Sequence, residues 1–200
     1  IFIVRKMEKT LLLDKVLSEY RGTTIIFTKT KHGAKRLMRA IRTMGHTAAE
    51  LHSNRSLAQR RDALDGFKAG RYRVLVATDI ASRGIDVVGI ELVVNFDLPM
   101  HSEDYVHRIG RTARAGASGH AIMFVTPEER YGLASIERLI RKRIPVSQLP
   151  ELPPERPQLR EAYNAPRPPR RPFSRGPERK PYQGTHNRRD RFSGPHRFGR

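Results

Sequence analysis

The chain has 200 residues, 39 Lys and Arg against 20 Asp and Glu, a net charge of +19, and no cysteine. That length suits one domain of about 100–150 residues plus a further segment. The absence of cysteine excludes disulfides and thiolate metal sites and fits a reducing, cytoplasmic setting. No apolar run reaches about 18 residues, which excludes a helical membrane span. Positive charge is spread over both parts, net +11 in residues 1–150 and +8 in 151–200. Such a balance points to a polyanionic partner, most simply nucleic acid. The opening IFIVRKMEK has no signal-peptide layout and no initiator methionine, and reads as a cut inside a longer protein.

Apolar strands and amphipathic helices alternate through the first 145 residues. Ile1–Val4 is a short strand, followed by a helix over Thr10–Tyr20 with Leu11, Leu12, Val16 and Leu17 inward. Thr23–Thr28 is a buried strand, and Gly33–Thr43 a helix with Leu37, Ala40 and Ile41 inward. Thr47–Leu51 is strand-like. Ser56 caps a helix to Phe67, with Leu57, Leu64 and Phe67 apolar. Arg73–Ala77 is a nearly continuous apolar run, as expected of a central parallel strand. Glu91–Phe96 is the next strand, then a helix over Glu103–Arg111, then the strand His120–Val125. Pro127 opens a last helix that runs to about Arg143, and Pro145 stops it. This order predicts an α/β fold, a parallel sheet with helices on both faces. The domain is expected to span residues 1–147. Ten of the fourteen prolines lie in 151–200, among Arg, Gly, Ser and Asn. Residues 148–200 are therefore expected to form a disordered basic tail, unable to bury enough apolar area to offset its ordering entropy.

Two stretches carry chemistry. If Tyr105–Gly116 (YVHRIGRTARAG) is one helix, His107, Arg111 and Arg114 fall on one face, with Val106 and Ile109 turned into a core. Gly110 removes a side chain beside Arg111, which permits close approach to the backbone. The charged face is either solvated or built to hold an anion. The strand Val74–Ala77 ends at Thr78 and Asp79, with Arg83, Gly84 and Asp86 close behind. Ligands bind beyond the carboxyl ends of strands in open α/β sheets. A hydroxyl, a guanidinium and a bare glycine N–H suit backbone phosphates, and a carboxylate suits sugar hydroxyls. The alternative is local: Thr78 and Asp79 cap the next helix and Asp86 pairs with an arginine.

ATDIASRGID (Ala77–Asp86) and HRIGRTARAG (His107–Gly116) resemble motifs V and VI of the DEAD-box ATP-dependent RNA helicases. IIFTKTKHGAKRL (Ile25–Leu37) resembles their motif IV, and LHSNRSLAQRRDALDGFKAG (Leu51–Gly70) the segment between motifs IV and V. The likeness covers roughly residues 1–145, the second RecA-like domain, and the tail and motif wording look most like the RhlE-like bacterial branch.

The resemblance implies that Arg111 and Arg114 reach the ATP γ-phosphate across an interdomain cleft, with Arg114 the arginine finger. In phosphoryl-transfer enzymes such a residue is worth about 10³–10⁵ in rate. His107 would couple the helix to the other domain, and Asp86 would contact the ATP ribose. Thr30, Gly33, Arg60, Thr78, Arg83 and Gly84 would grip the RNA sugar–phosphate backbone, independently of base sequence. Two departures stand out. Ala113 sits where the family often has glycine. Leu57 sits where it usually has glutamine, leaving Arg60 without one supporting polar contact, since Gln59 is two positions away. The chain holds no G-x-x-x-x-G-K-[ST] phosphate loop and no D-E-A-D motif to hold Mg²⁺. In the family both belong to the first RecA-like domain, so these 200 residues are not expected to hydrolyse ATP alone. An alternative of another class is a non-enzymatic RNA-binding or annealing module. The tail interleaves arginine with Phe173, Tyr182, Phe192 and Phe198, which suits a sequence-tolerant RNA tether. The other histidines (His32, His46, His52, His101, His120, His186 and His196) show no metal-ligand spacing and are expected at the surface or in loops.

Overall fold

A computed structural model describes residues 1–82, 87, 89–112 and 119–164. Six strands form one parallel sheet: β1 (Phe2–Ile3), β2 (Thr24–Phe27), β3 (Ala48–Leu51), β4 (Val74–Ala77), β5 (Leu92–Asn95) and β6 (His120–Val125). Their order is β1-β6-β5-β2-β4-β3. The helices are α1 (Lys9–Glu19), α2 (Lys31–Thr43), α3 (Leu57–Lys68), the single turn α4 (Asp79–Ser82), α5 (Ser102–Ile109), α6 (Arg130–Ile140) and α7 (Pro157–Asn164). The α/β parallel sheet expected from the alternation is the observed architecture.

The β-branched runs are central because both of their faces are covered. Ile26, Val74, Val76, Leu92 and Val94 pack with Leu12, Leu13, Val16 and Leu17 of α1 and Leu37 and Ile41 of α2. The alternate residues Ile25, Phe27, Leu75, Ala77 and Val93 pack with Ala63 and Phe67 of α3. Met123 and Val125 join Tyr105 of α5 and Ile136 of α6. This is the two-residue period of a strand written into two cores. Phe27 lies level with both Ala77 and Asn95, and Leu51 with Ala77. The loops after β2, β3, β4 and β5 therefore leave the sheet along one edge, and that edge positions the site.

Helix ends follow local chemistry. The Thr30 hydroxyl oxygen accepts from the Gly33 N–H at 2.9 Å, capping α2. α2 ends where Gly45 takes a φ of +92° and the His46 N–H donates to the Ile41 carbonyl at 3.2 Å. Ser56 and Gln59 close a reciprocal capping box on α3. Pro127 opens a 3₁₀ turn over Pro127–Glu129, and α6 begins only at Arg130 and ends at Ile140, short of Arg143.

Two expectations need correction. Leu13 is fully buried on α1, while Leu11 is only half-buried. The ordered chain does not stop at residue 147. Leu149 and Leu152 pack on the core, and α7 lies on α2 with Leu159 buried. Tyr163 stacks over the Arg36 guanidinium at 5.2 Å and tilts against Phe96 at 6.5 Å, and Arg156 pairs with Asp14. Pro157 starts this helix in its first turn, where a missing N–H costs nothing, and Leu159 and Tyr163 fall four apart on its inner face. Residues 165–200, which hold most of the tail, lie outside the described residues.

Candidate functional site

The edge of the sheet beyond β5, β2, β4 and β3 gathers, in that spatial order, the α5 region, the start of α2, Thr78 with α4, and the β3–α3 turn. Thr30 is exposed at the first turn of α2. Its oxygen is engaged by Gly33, which leaves the hydroxyl proton to donate. Gly33 itself is buried. A Cβ there would stand 3.0 Å from Thr28 Oγ1 and 3.1 Å from Thr30 Oγ1, so a side chain fits only if the two threonines that shape the turn give by a few tenths of an ångström. The Thr28 hydroxyl donates to the Thr30 carbonyl at 3.0 Å, and the Lys29 N–H donates to Asp97 Oδ2 at 3.0 Å. Thr78 is half-buried; its N–H donates to the Leu51 carbonyl, and its own carbonyl accepts from Ala81. Arg60 is half-buried on α3, and its Nε has no hydrogen-bond partner among the described residues.

The helix over Tyr105–Gly116 is not continuous as read from the sequence. α5 ends at Ile109, Gly110 caps it, and Arg111 lies in the turn that follows. The inward residues are Tyr105, Arg108 and Ile109. Val106 is 45% exposed and does not enter the core. Burial pushes the Tyr105 phenol above its ordinary range. A Cβ at position 110 would meet the Val106 carbonyl at 3.1 Å, so the close approach that Gly110 permits is that of its own helix. His107 stands outward, its side chain 66% exposed, with Nδ1 3.9 Å from Asp104 Oδ1. Arg111 is half-buried. Asp86, Arg83, Gly84 and Arg114 lie outside the described residues.

The residue that sequence reasoning missed is Arg108. It is 1% exposed. Its Nε and Nη2 donate to the two carboxylate oxygens of Asp79 at 2.6 and 2.8 Å, a bidentate pair. Nη1 donates to Asn95 Oδ1 at 2.9 Å and to the Asp97 carbonyl at 2.7 Å. The guanidinium also lies 5.1 Å over the Phe27 ring. One arginine thus ties α5 to the ends of β2, β4 and β5. The signal was an inward i, i+3 spacing from Tyr105, hidden because a charged residue beside His107 reads as solvent-facing. Asp79, weighed as a simple helix cap, is Arg108's partner.

The profile of the helicase conserved C-terminal domain matches residues 7–116. The chain belongs to that family. Its fold is that of DEAD-box proteins: over 77% of this chain and 95% of the other, the domain superposes on the Escherichia coli DEAD-box protein SrmB, solved bound to regulator of ribonuclease activity A, with a TM-score of 0.70 at 32% identity. Saccharomyces cerevisiae Dbp5, solved bound to RNA and ADP BeF3, gives a TM-score of 0.67 at 31% identity, covering 73% of this chain and 40% of that one. The probable ATP-dependent RNA helicase DDX47 of Mus musculus is 45% identical over 147 residues, 73% of this chain. The matched chain spans about a third of that relative, 32% of its length. α7 lies beyond the residues that the family profile matches.

Proposed function

We propose that this chain is the C-terminal half of an ATP-dependent RNA helicase, holding the RNA backbone along the sheet edge and completing an ATP site built mainly by a first RecA-like domain. The observation that carries the reading is the Arg108 clamp. It fixes α5, which leads into Arg111 and Arg114, to Asp79, the neighbour of Thr78. In this reading groups for ATP and groups for RNA share one edge, so closure on one bears on the other.

In this reading Arg111 and Arg114 meet the γ-phosphate, with Arg114 the finger, and Asp86 meets the ribose. His107, outward on α5, faces the partner domain. Thr30, Gly33, Arg60, Thr78, Arg83 and Gly84 bind phosphates and sugars. The Nε of Arg60, without a hydrogen-bond partner among the described residues, suits a phosphate oxygen, and contacts to phosphates suit sequence-independent binding. Gln59, whose side chain is taken by the Ser56 cap, does not take over from the glutamine that Leu57 replaces. ATP supplies the phosphoryl group, and Mg²⁺ would be held mainly by the first domain. Opening of a duplex is local strand distortion as the two domains close.

The Arg-rich tail supports an RNA tether that raises local RNA concentration. Tail and motif wording support the finer RhlE-like assignment, although the DDX47 relative is a mouse protein. A cytoplasmic setting is proposed from the absence of cysteine. RNA binding measured against salt tests the grip. Arg60→Ala should weaken binding to all sequences alike and reduce the salt slope by about one. An unchanged slope would remove Arg60 from the interface.

A further inference from the structure

Among the described residues, five buried side-chain polar atoms find no hydrogen-bond partner, and four belong to Glu50, His52, Arg55 and Arg60. They lie at the end of β3 and the start of α3, beside the proposed RNA edge. Glu50 is 4% exposed on the outermost strand of the sheet, and His52, in the loop that follows as expected, is equally buried. A carboxylate so buried needs partners. It has two at loose range: His52 Nε2 is 3.3 Å from Oε2, and Arg55 Nε is 3.6 Å from Oε1.

His52 also organises the turn that follows. The Asn54 N–H donates to His52 Nδ1 at 3.3 Å, and the Arg55 N–H donates to the His52 carbonyl at 3.0 Å. With Nδ1 accepting, the ring proton sits on Nε2, facing Glu50. The turn so fixed presents the Asn54 side chain to α2, where Lys31 Nζ donates to Asn54 Oδ1 at 3.0 Å. Lys31 follows Thr30, and Arg55 precedes the helix that carries Arg60. The ring thus links a buried acid on the edge strand to two segments of the proposed RNA surface.

We propose that His52 is a positioning residue for RNA-backbone binding. It holds the β3–α3 turn so that Asn54, Lys31 and Arg55 share the edge with Thr30 and Arg60. This rests on the reading of that edge as RNA-binding. His52 touches no RNA itself; it acts through Asn54 on one side and Glu50 on the other.

The two ring nitrogens can be tested separately. Asparagine at this position places an amide oxygen near Nδ1 and keeps the acceptor for the Asn54 N–H. Glutamine reaches the place of Nε2 and keeps the contact to Glu50, but loses that acceptor. The full 200-residue chain, ¹⁵N-labelled, would be titrated with a single-stranded oligoribonucleotide, and Kd read from the amides of Thr30, Lys31 and Asn54. Reading those positions separates the edge from the basic tail. His52→Ala and His52→Gln should weaken edge binding about fivefold or more, the worth of roughly one hydrogen bond. His52→Asn should stay within about twofold. Arg60→Ala serves as the control for the edge itself. If Arg60→Ala weakens binding and all three His52 variants bind like the parent, the positioning role is wrong. If Asn and Gln variants lose binding equally, the turn acceptor is not what matters and the proposal falls. If the parent's edge amides do not move while tail amides do, it is the RNA reading of the edge that fails. Should His52→Ala not fold, the Asn and Gln variants carry the comparison.

Discussion

Arg108 is among the largest side chains that the described residues bury completely. An arginine in that position is tolerated because Asp79, Asn95 and the Asp97 carbonyl take four of its N–H donations and Phe27 covers its face. Removing it takes from Asp79, only 17% exposed at its side chain, the bidentate guanidinium that pairs both of its oxygens. Breaking one side of a buried pair costs about 3–5 kcal/mol. Arg108→Ala should lower urea-unfolding stability by that order. Arg108→Lys should lose a good part of it too, because an ammonium cannot reproduce the bidentate fork. His46 gives a second residue-scale prediction. Burial first, then Arg73 and Arg21, hold its pKa below the ordinary histidine value, with Asp14 pulling weakly the other way. The folded chain then binds fewer protons than the unfolded chain just below about pH 6.5. Stability should be fully present above that pH and fall as pH drops through the window beneath it. His46→Gln should flatten that part of a stability–pH curve; an equally steep curve would show that another group titrates there.

Among the elements, α7 matters most for where the domain ends. Leu159 is 2% exposed, and Tyr163, its phenol pushed up chiefly by burial, bridges α2 and the end of β5 through Arg36 and Phe96. Leu159→Ala should cost about 2–4 kcal/mol by thermal or chemical unfolding, in the range of buried leucine truncations. A change under about 0.5 kcal/mol would mean that the helix is not docked in solution. The signal for α7 was present in the sequence, with proline at the first turn and an apolar pair four residues apart. It was obscured by the neighbouring prolines at 153, 154, 166, 168 and 169, whose density reads as disorder. α5 shows the complementary error. The spacing puts His107 on an outward face and Val106 in the core, yet Val106 turns out and Arg108, which the spacing left unplaced, turns in, because the carboxylate waiting at Asp79 comes from α4, beyond another strand. Local periodicity contains no information about such a partner.

At the scale of the whole molecule, the sheet was legible because buried parallel strands tend to be nearly continuous apolar runs, as RVLVA is, with TTIIFT and ELVVNF carrying the apolar centres IIF and LVV beside it. Register then follows: strands that end level place their loops on one edge, and motif residues distant in sequence become neighbours there. Thr30, Gly33, Arg60, Thr78, His107 and Arg111 are all found on elements of that edge. What sequence alone did not yield were the contacts that hold it, namely Arg108 to Asp79 and His52 to Asn54, since each joins residues whose pairing depends on the fold. The central claim is that this domain completes an ATP site it does not build alone. RNA-stimulated ATPase activity should be measured for this chain by itself and joined to a first RecA-like domain carrying the phosphate loop and D-E-A-D motif, with Arg114→Ala alongside. Activity is expected only with both halves, falling about a hundredfold or more in the variant. No activity with both halves, or a variant as active as the parent, would contradict that claim.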